Sequence, residues 1–148
     1  MHRLIRSVLR LRLQRDVQAL NAGDYHPLLA NYADDAVLHF PDGEHRFAGD
    51  HRGKQSIERF LQEFVAAGLQ GEVHDLVVSG PPWRMTMIVR FDDHALGPQG
   101  EQLYANRAVL LIRAQWGRVV EHTDFFENTE RITHLERRLR ERDADPGS

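Results

Sequence analysis

Between residues 72 and 126, apolar and polar side chains alternate in four successive stretches, which is the period of a β-strand with one buried face. The stretches are EVHDLVVS, WRMTMIVRF, QLYANRAVLLIR and RVVEHTDFF. The connection AQWG is a tight turn, and the connection DDHALGPQG is rich in turn residues. This order predicts a four-strand antiparallel meander.

Before the meander, the apolar period is helical. A first amphipathic helix ends at Ala22-Gly23. Its apolar stripe is Ile5, Val8, Leu9, Leu13, Val17 and Leu20. Asp24 is the predicted cap of a second helix that contains Leu28, Leu29 and Tyr32. ADDAVLHF then predicts a short strand, and the Asp-Gly pair in PDGEHRF predicts a hairpin turn with a second short strand after it.

Two further helices complete the pattern. One follows Gly53 and ends at Gly68, and the other lies in ERITHLERRLRE with Asn128 or Thr129 as its cap. Helices beside one antiparallel sheet predict an α+β fold in which helices cover one face of a curved sheet and leave room for a pocket. We expect one domain over residues 1–142 and a disordered tail over residues 143–148.

The composition excludes several kinds of chemistry. The chain has 148 residues, 41% hydrophobic and 28% charged, which suits one domain with its own core. It has no cysteine, so disulfides and thiolate sites are excluded. A net charge of −3 provides no basic field for nucleic acid. The nine histidines show no HExxH or H-x-H spacing, and the Asp92–His94 triplet falls in a predicted loop, so we expect no metal.

The basic, apolar start of the chain resembles a targeting segment only superficially. It has neither a continuous apolar core nor a small-residue cleavage site. Its arginines suit the solvated face of a packed helix or, alternatively, a helix that lies on a membrane surface. No apolar run approaches the ~20 residues of a membrane span. The expectation is a cytoplasmic protein without a membrane partner.

The element order and three stretches resemble the ketosteroid-isomerase/nuclear-transport-factor-2-like superfamily, in particular its polyketide-cyclase-like (SnoaL-like) branch. The stretches are AGDYHPLLANYADDAV, AGDHRGKQSIERF and WGRVVEHTDFFENTERI. The resemblance implies a cone of bent sheet and helices around an apolar cavity. Members include isomerases, cyclases, epoxide hydrolases and non-enzymatic binding modules, so the fold alone does not define the function.

The resemblance also carries expectations for single residues. The catalytic residues of members that resemble ketosteroid isomerase would fall at Phe40, Val109 and Asp16, and none of the three has the expected residue type. Members that resemble limonene epoxide hydrolase use an Asp-Arg-Asp group. Arg107 matches its arginine and Asp124 its last aspartate, while Val109 occupies the position of the other acid.

Strand geometry also predicts which of these candidates share a face and which lie opposite each other. His122, Asp124 and Phe126 share one face of the last strand. If the preceding turn is centred on Gln115-Trp116, Arg107 lies opposite Asp124. Asp124 is then a base for a substrate C–H or a water, Arg107 steadies an oxyanion, and His122 moves the proton. The alternative is that Arg107 and Asp124 form a buried ion pair with a purely structural role.

The resemblance places the Arg107, His122 and Asp124 face toward the cavity. The ligand-binding candidates on this cavity surface are Asp16, Tyr32, Phe40, Val109, Leu111 and Phe126. Alternatively, Asp16 is an exposed residue that pairs with an arginine. The opposite face, with Leu110, Ile112 and Phe125, suits a homodimer.

Two functions remain open at this point. One is cofactor-free acid–base chemistry, of isomerase, cyclase or hydrolase type, on a small and mostly apolar carbonyl, epoxide or hydroxylated compound. The other is a non-catalytic module in which the same cavity binds a small ligand, or in which the dimer surface is the whole purpose.

Overall fold

The predicted order of helices and strands is confirmed by the computed structural model, which describes residues 2–145. The elements are α1 (His2–Asn21), α2 (His26–Leu29), β1 (Tyr32–Phe40), β2 (Gly49–Arg52), α3 (Lys54–Ala66), β3 (Leu69–Ser79), β4 (Met85–Leu96), β5 (Gln102–Gln115), β6 (Arg118–Phe126) and α4 (Glu130–Ala144). Within residues 2–145, no helix combines the length and apolarity that a membrane crossing requires.

The six strands form one sheet in the order β2-β1-β6-β5-β4-β3. The predicted meander is confirmed, because β3, β4, β5 and β6 pair antiparallel in sequence order. β1 joins the sheet parallel to β6 and antiparallel to β2. The sheet therefore brings the beginning of the chain beside its last strand, which places β1 side chains next to those of β6.

The core lies between the helices and one face of the sheet. Ile57 on α3 and Leu135 on α4 pack with Leu38 of β1 in one apolar cluster. Val17 on α1 packs with Leu76 and Val89 in a second cluster over β3 and β4. The two clusters occupy the two ends of the concave side, and the cavity described below is lined by members of both.

Three local predictions were wrong. Tyr32 begins β1 instead of ending a helix, because α2 stops at Leu29 after a single turn. Asp92–His94 lies inside β4, because the β3 and β5 partners extend the ladder past the polar residues. Asp143 and Ala144 continue α4. Asp145 caps α4, and the last three residues of the predicted disordered tail, 146–148, lie outside the described residues.

The β5–β6 hairpin differs from the predicted register, and the difference has two causes. Its turn is Trp116-Gly117, with φ values of 53° and 80°, so Gln115 pairs with Arg118. Both φ values are positive, as in the tight hairpin turns that match strand twist, and glycine adopts this conformation without strain. A β-bulge then leaves Val120 without a partner.

Beyond the bulge, Leu110 pairs with Asp124 and Ile112 pairs with His122. The predicted pairing of Arg107 with Asp124 is therefore wrong. Because a slip by one residue reverses the face of every later side chain, the even-numbered residues of β5 share the inner face with His122 and Asp124. The odd-numbered residues of β5, including Arg107, lie on the outer face.

This reversal also corrects the predicted composition of the outer face. Leu110 and Ile112, which were expected there, are buried on the concave side. Phe125 is on the outer face as expected and is 56% exposed. The exposed apolar residues that accompany it on this face are Val77, Ile88 and Val109.

Candidate functional site

A cavity of about 200 Å³ lies between the concave face of the sheet and helices α1, α2 and α3. Most of its lining is apolar, and leucine, phenylalanine, valine and methionine side chains form the wall. The polar and charged residues of the lining are Arg12, Asp16, Asn31, Tyr32, Asp93, His122 and Asp124. A mostly apolar pocket with a few polar groups is the usual form of a small-molecule site.

Three of these polar residues form one chain of hydrogen bonds. The hydroxyl of Tyr32 lies 2.7 Å from Nδ1 of His122, and Nε2 of His122 lies 2.5 Å from Oδ1 of Asp124. An ionised carboxylate only accepts hydrogen bonds, so the proton of a neutral imidazole is on Nε2. Tyr32 then donates to Nδ1, which fixes both the tautomer and the orientation of the ring.

The surroundings keep Tyr32 in its protonated form. Burial raises the pKa of the Tyr32 hydroxyl far above its usual range, and the negative charge of Asp124 raises it further. The side chains of His122 and Asp124 are 10% and 8% exposed. Among the described residues, none bonds the second carboxylate oxygen of Asp124, Oδ2. One oxygen of Asp124 is therefore bonded by His122, and the other has no hydrogen-bond partner among the described residues.

The local fold explains why these residues meet. β1 runs parallel to β6, and Tyr32 at its start pairs with Val119. The bulge at Val120 follows, so Val119 and His122 both line the cavity although they are three residues apart. His122 and Asp124 are then consecutive inward residues of β6, as predicted from their spacing.

Arg107 lies outside this group. Its side chain is 64% exposed and forms an ion pair with Glu127. Val109 and Leu111, the candidates that share its face, are absent from the cavity lining among the described residues. The arginine was expected to face Asp124, and the structure gives Asp124 the His122 imidazole as its hydrogen-bond partner instead.

Four other candidates lie where they were expected. Asp16, Tyr32, Phe40 and Phe126 all line the cavity. Phe40 contacts the ring of Phe126, with 5.2 Å between the ring centroids. The position of these four residues agrees with a ligand-binding role and does not test it.

Asp16 is buried, in contrast to its alternative reading as an exposed partner of an arginine. Nδ2 of Asn31 donates to Oδ2 of Asp16 at 2.8 Å, and Arg12 donates to Oδ1 of Asn31 at 2.7 Å. Arg12 and Gly117 are exposed members of the cavity lining. The mouth of the cavity therefore lies between α1 and the β5–β6 turn, and the Arg12, Asn31 and Asp16 chain forms part of its rim.

The sequence reasoning missed Asp93. The residue is 4% exposed and lines the cavity from β4. Burial raises the pKa of Asp93 to about 8; a hydrogen bond from Tyr104 opposes the rise, and the charge of Asp124 adds to it. The alternation that runs from Met85 to Phe91 would have placed Asp93 on the inner face, but its polar neighbours suggested a loop.

Comparisons with known proteins identify the family of the chain. The family model described as a SnoaL-like domain matches residues 13–122. The chain belongs to the SnoaL-like domain family. A search of curated proteins gives no match.

Solved structures of the same fold cover most of this SnoaL-like chain. Bal32a from a soil-derived mobile gene cassette is 21% identical, with a TM-score of 0.68 and coverage of 86% of this chain and 95% of that one. An NTF2-like protein of unknown function from Burkholderia pseudomallei is 20% identical, with a TM-score of 0.69 and coverage of 85% and 95%. TerC, co-crystallised with polyporic acid, is 14% identical, with a TM-score of 0.63 and coverage of 82% and 92%.

The fold expected from the sequence is thus confirmed, and the site of this SnoaL-like protein can be stated by position. The inner face of the sheet carries two features. One is the hydrogen-bonded series of Tyr32, His122 and Asp124, and the other is the separate carboxyl group of Asp93. All four groups face one apolar cavity. This arrangement can hold a small molecule and present it with two carboxyl groups in different environments.

Proposed function

We propose that this SnoaL-like protein carries out cofactor-free acid–base chemistry on a small, mostly apolar molecule in the cavity, with Asp124 as the proton acceptor. The proposal rests on the hydrogen bonding of the Asp124 carboxylate. One oxygen is bonded by His122, and the other is open to the cavity. A positioned base in an apolar site is what proton abstraction from a weak carbon acid requires.

In the proposed step, Oδ2 of Asp124 takes a proton from the carbon beside a substrate carbonyl. The electron pair of the broken C–H bond remains on the substrate as an enolate, and the proton returns from Asp124 to the same or another carbon. His122 is a positioning residue that holds Oδ1, and Tyr32 holds the imidazole. The same base would activate a water if the substrate were an epoxide.

The comparisons support a small organic ligand without naming it. TerC was co-crystallised with polyporic acid, and it shares the fold at low sequence identity. A thermal-shift screen of steroids, polyketide fragments and epoxides is the first step toward a ligand, because a molecule that binds only the folded state raises the Tm.

The decisive experiment measures proton exchange directly. The full chain is incubated with 2-tetralone, a small apolar ketone with acidic C–H bonds, in D₂O, and deuterium incorporation is followed by NMR. We expect the wild-type protein to accelerate exchange, Asp124→Asn to abolish the acceleration, and Asp35→Asn, a change at an exposed aspartate of β1, to retain it. Acceleration that survives Asp124→Asn would make Asp124 structural. Binding of the ketone without any acceleration would favour the non-catalytic ligand-binding module.

A further inference from the structure

Asp93 leaves a polar atom without a partner at the inner end of the cavity. Its carboxyl oxygen Oδ1 is fully buried, and no described residue bonds it. A buried oxygen that has lost its water without gaining a partner lowers the stability of the fold. Most buried polar groups in folded proteins have a partner, so the exception calls for an explanation.

Within residues 2–145, no neighbour of Asp93 supplies a cation. β3 presents Gly71 in register with it, and β5 presents Asn106, whose amide bonds the backbone of Asn128 instead. The α3 residues of the cavity lining are Phe60, Leu61 and Phe64, which are apolar. The titratable groups that act on Asp93 are the hydroxyl of Tyr104 and the carboxyl groups of Asp92 and Asp124.

These surroundings favour the neutral carboxyl form. A carboxylate in an apolar cavity loses its hydration, and two nearby acids repel its charge. The pKa of Asp93 is therefore raised to about 8, and at neutral pH the group carries a proton. A protonated carboxyl is a hydrogen-bond donor, whereas a carboxylate is only an acceptor.

We propose that Asp93 is a ligand-binding residue at the inner end of the cavity, where it donates a hydrogen bond to the carbonyl oxygen of an otherwise apolar, uncharged ligand. The inference deepens the proposed function, on which it rests for the choice of cavity, by naming the residue that recognises the carbonyl oxygen and by requiring an uncharged ligand. A carboxylate ligand would meet Asp93 and Asp124 as like charges, and an ammonium ligand would lose its hydration in the apolar wall.

The test compares two molecules of nearly the same shape. The probe is 2-acetylnaphthalene, and its matched hydrocarbon is 2-isopropylnaphthalene. Binding of each to the full chain is measured by equilibrium dialysis up to the solubility limit. We expect the ketone to bind about tenfold more tightly at neutral pH, which corresponds to one net hydrogen bond. Above pH 8 the preference should decline as Asp93 loses its proton.

Variants assign the preference to Asp93. Asp93→Leu removes the donor and should abolish the preference, while Asp93→Asn keeps an N–H donor and should retain it without the decline at high pH. Asp35→Asn, at an exposed position of β1, is the matched control and should behave as the wild type. Urea unfolding of each variant verifies the fold. Asp93→Leu removes the unmatched oxygen but leaves the buried Tyr104 hydroxyl without this acceptor, so it should fold and be less stable than Asp93→Asn.

Several results would overturn the inference. These are equal binding of the two probes by the wild-type protein, a ketone preference that persists in Asp93→Leu, or no saturable binding of either probe. A fourth such result is that 2-naphthylmethylamine binds more tightly than the ketone and that this difference in affinity increases above pH 8. Asp93 would then be a hydrogen-bond acceptor for a cation. The measurement requires no turnover, so a protein that fails the deuterium-exchange test can still show the ketone preference.

Discussion

The hydroxyl of Tyr32 lies 2.7 Å from Nδ1 of His122, although 90 positions separate the two residues in the chain. The contact joins the first residue of β1 to the strand that carries Asp124. Both side chains are buried, so neither has water as a ready substitute partner. The pair therefore combines a structural role with the positioning of the proposed base.

Tyr32→Phe should lower the free energy of unfolding by about 1–2 kcal/mol, because it leaves the buried Nδ1 of His122 without its donor. Urea unfolding measures the loss. ¹⁵N NMR of the imidazole should still show the Nε2–H tautomer, which Asp124 holds, with the Nδ1 signal shifted by the loss of its donor. Tyr25→Phe is the control, since the Tyr25 hydroxyl contacts Glu58 and Gln62 away from the cavity. An equal loss in both variants would argue against a special role for the buried contact.

His122→Gln should reduce the rate of deuterium exchange less than Asp124→Asn does. Glutamine can still donate a hydrogen bond toward Asp124, whereas asparagine cannot accept a proton as a carboxylate does. Asp124→Asn should cost only about 1 kcal/mol of stability, because its amide oxygen still accepts from His122. Exchange rates and urea unfolding of both variants check the order. A larger rate loss in His122→Gln would move the base to the imidazole.

The fold was largely predictable because its signals are local. Apolar stripes at helical spacing placed α1 and α3, and alternation placed the four strands of the meander. The resemblance of three stretches to the SnoaL-like branch then gave the cone and its cavity. Errors fell where tertiary pairing outweighed local preference, as at Asp92–His94, whose polar residues remain in β4 because strands pair on both sides.

The site was only half predictable, because its composition depends on register. The spacing of His122 and Asp124 placed both on one face of β6. Their partners across the sheet depended on the exact turn and on a bulge, neither of which has a strong sequence signal. Arg107 was therefore assigned to the wrong face, and the contact between Tyr32 and His122 could not be derived without the parallel pairing of β1 and β6.

Stability should decrease in acid through Glu136. Its carboxylate accepts hydrogen bonds from the backbone and guanidinium of Arg46 and from Arg140, and the Arg46 guanidinium is the main reason that its pKa falls from 4.5 to about 2. The unfolded chain therefore binds the proton more readily than the native one. The contribution of Glu136 is complete above pH 4.5 and is lost as the pH falls toward 2.

Glu136→Gln removes the charge and should cost about 3 kcal/mol at neutral pH, because Arg46 loses its buried partner. The cost should shrink on acidification below pH 4.5, when the wild-type carboxylate is protonated as well. Urea unfolding across this pH range measures both effects. Glu141→Gln, at an exposed position of α4, provides the comparison and should change little. A cost that does not depend on pH would contradict the assignment.

We still expect a homodimer through the outer face of the sheet, now with Ile88, Val109 and Phe125 as its apolar centre. Phe125→Glu should place a charge in that interface and yield monomers, while Val8→Glu, at an exposed position of α1, should leave the dimer intact. Light scattering at micromolar concentration gives the mass. A monomeric wild-type protein would refute the expectation.

Val120, the unpaired residue of the β6 bulge, affects how related sequences should be aligned with this one. A gap placed at Val120 leaves every later residue of β6 opposite its present partner. A gap placed between His122 and Asp124 would exchange the ligand-facing and outward-facing positions that follow it. Two alignments with nearly the same score can thus give opposite accounts of whether a relative retains the carboxylate in its cavity. The place of that one gap should be decided by hairpin geometry before sequence similarity is counted.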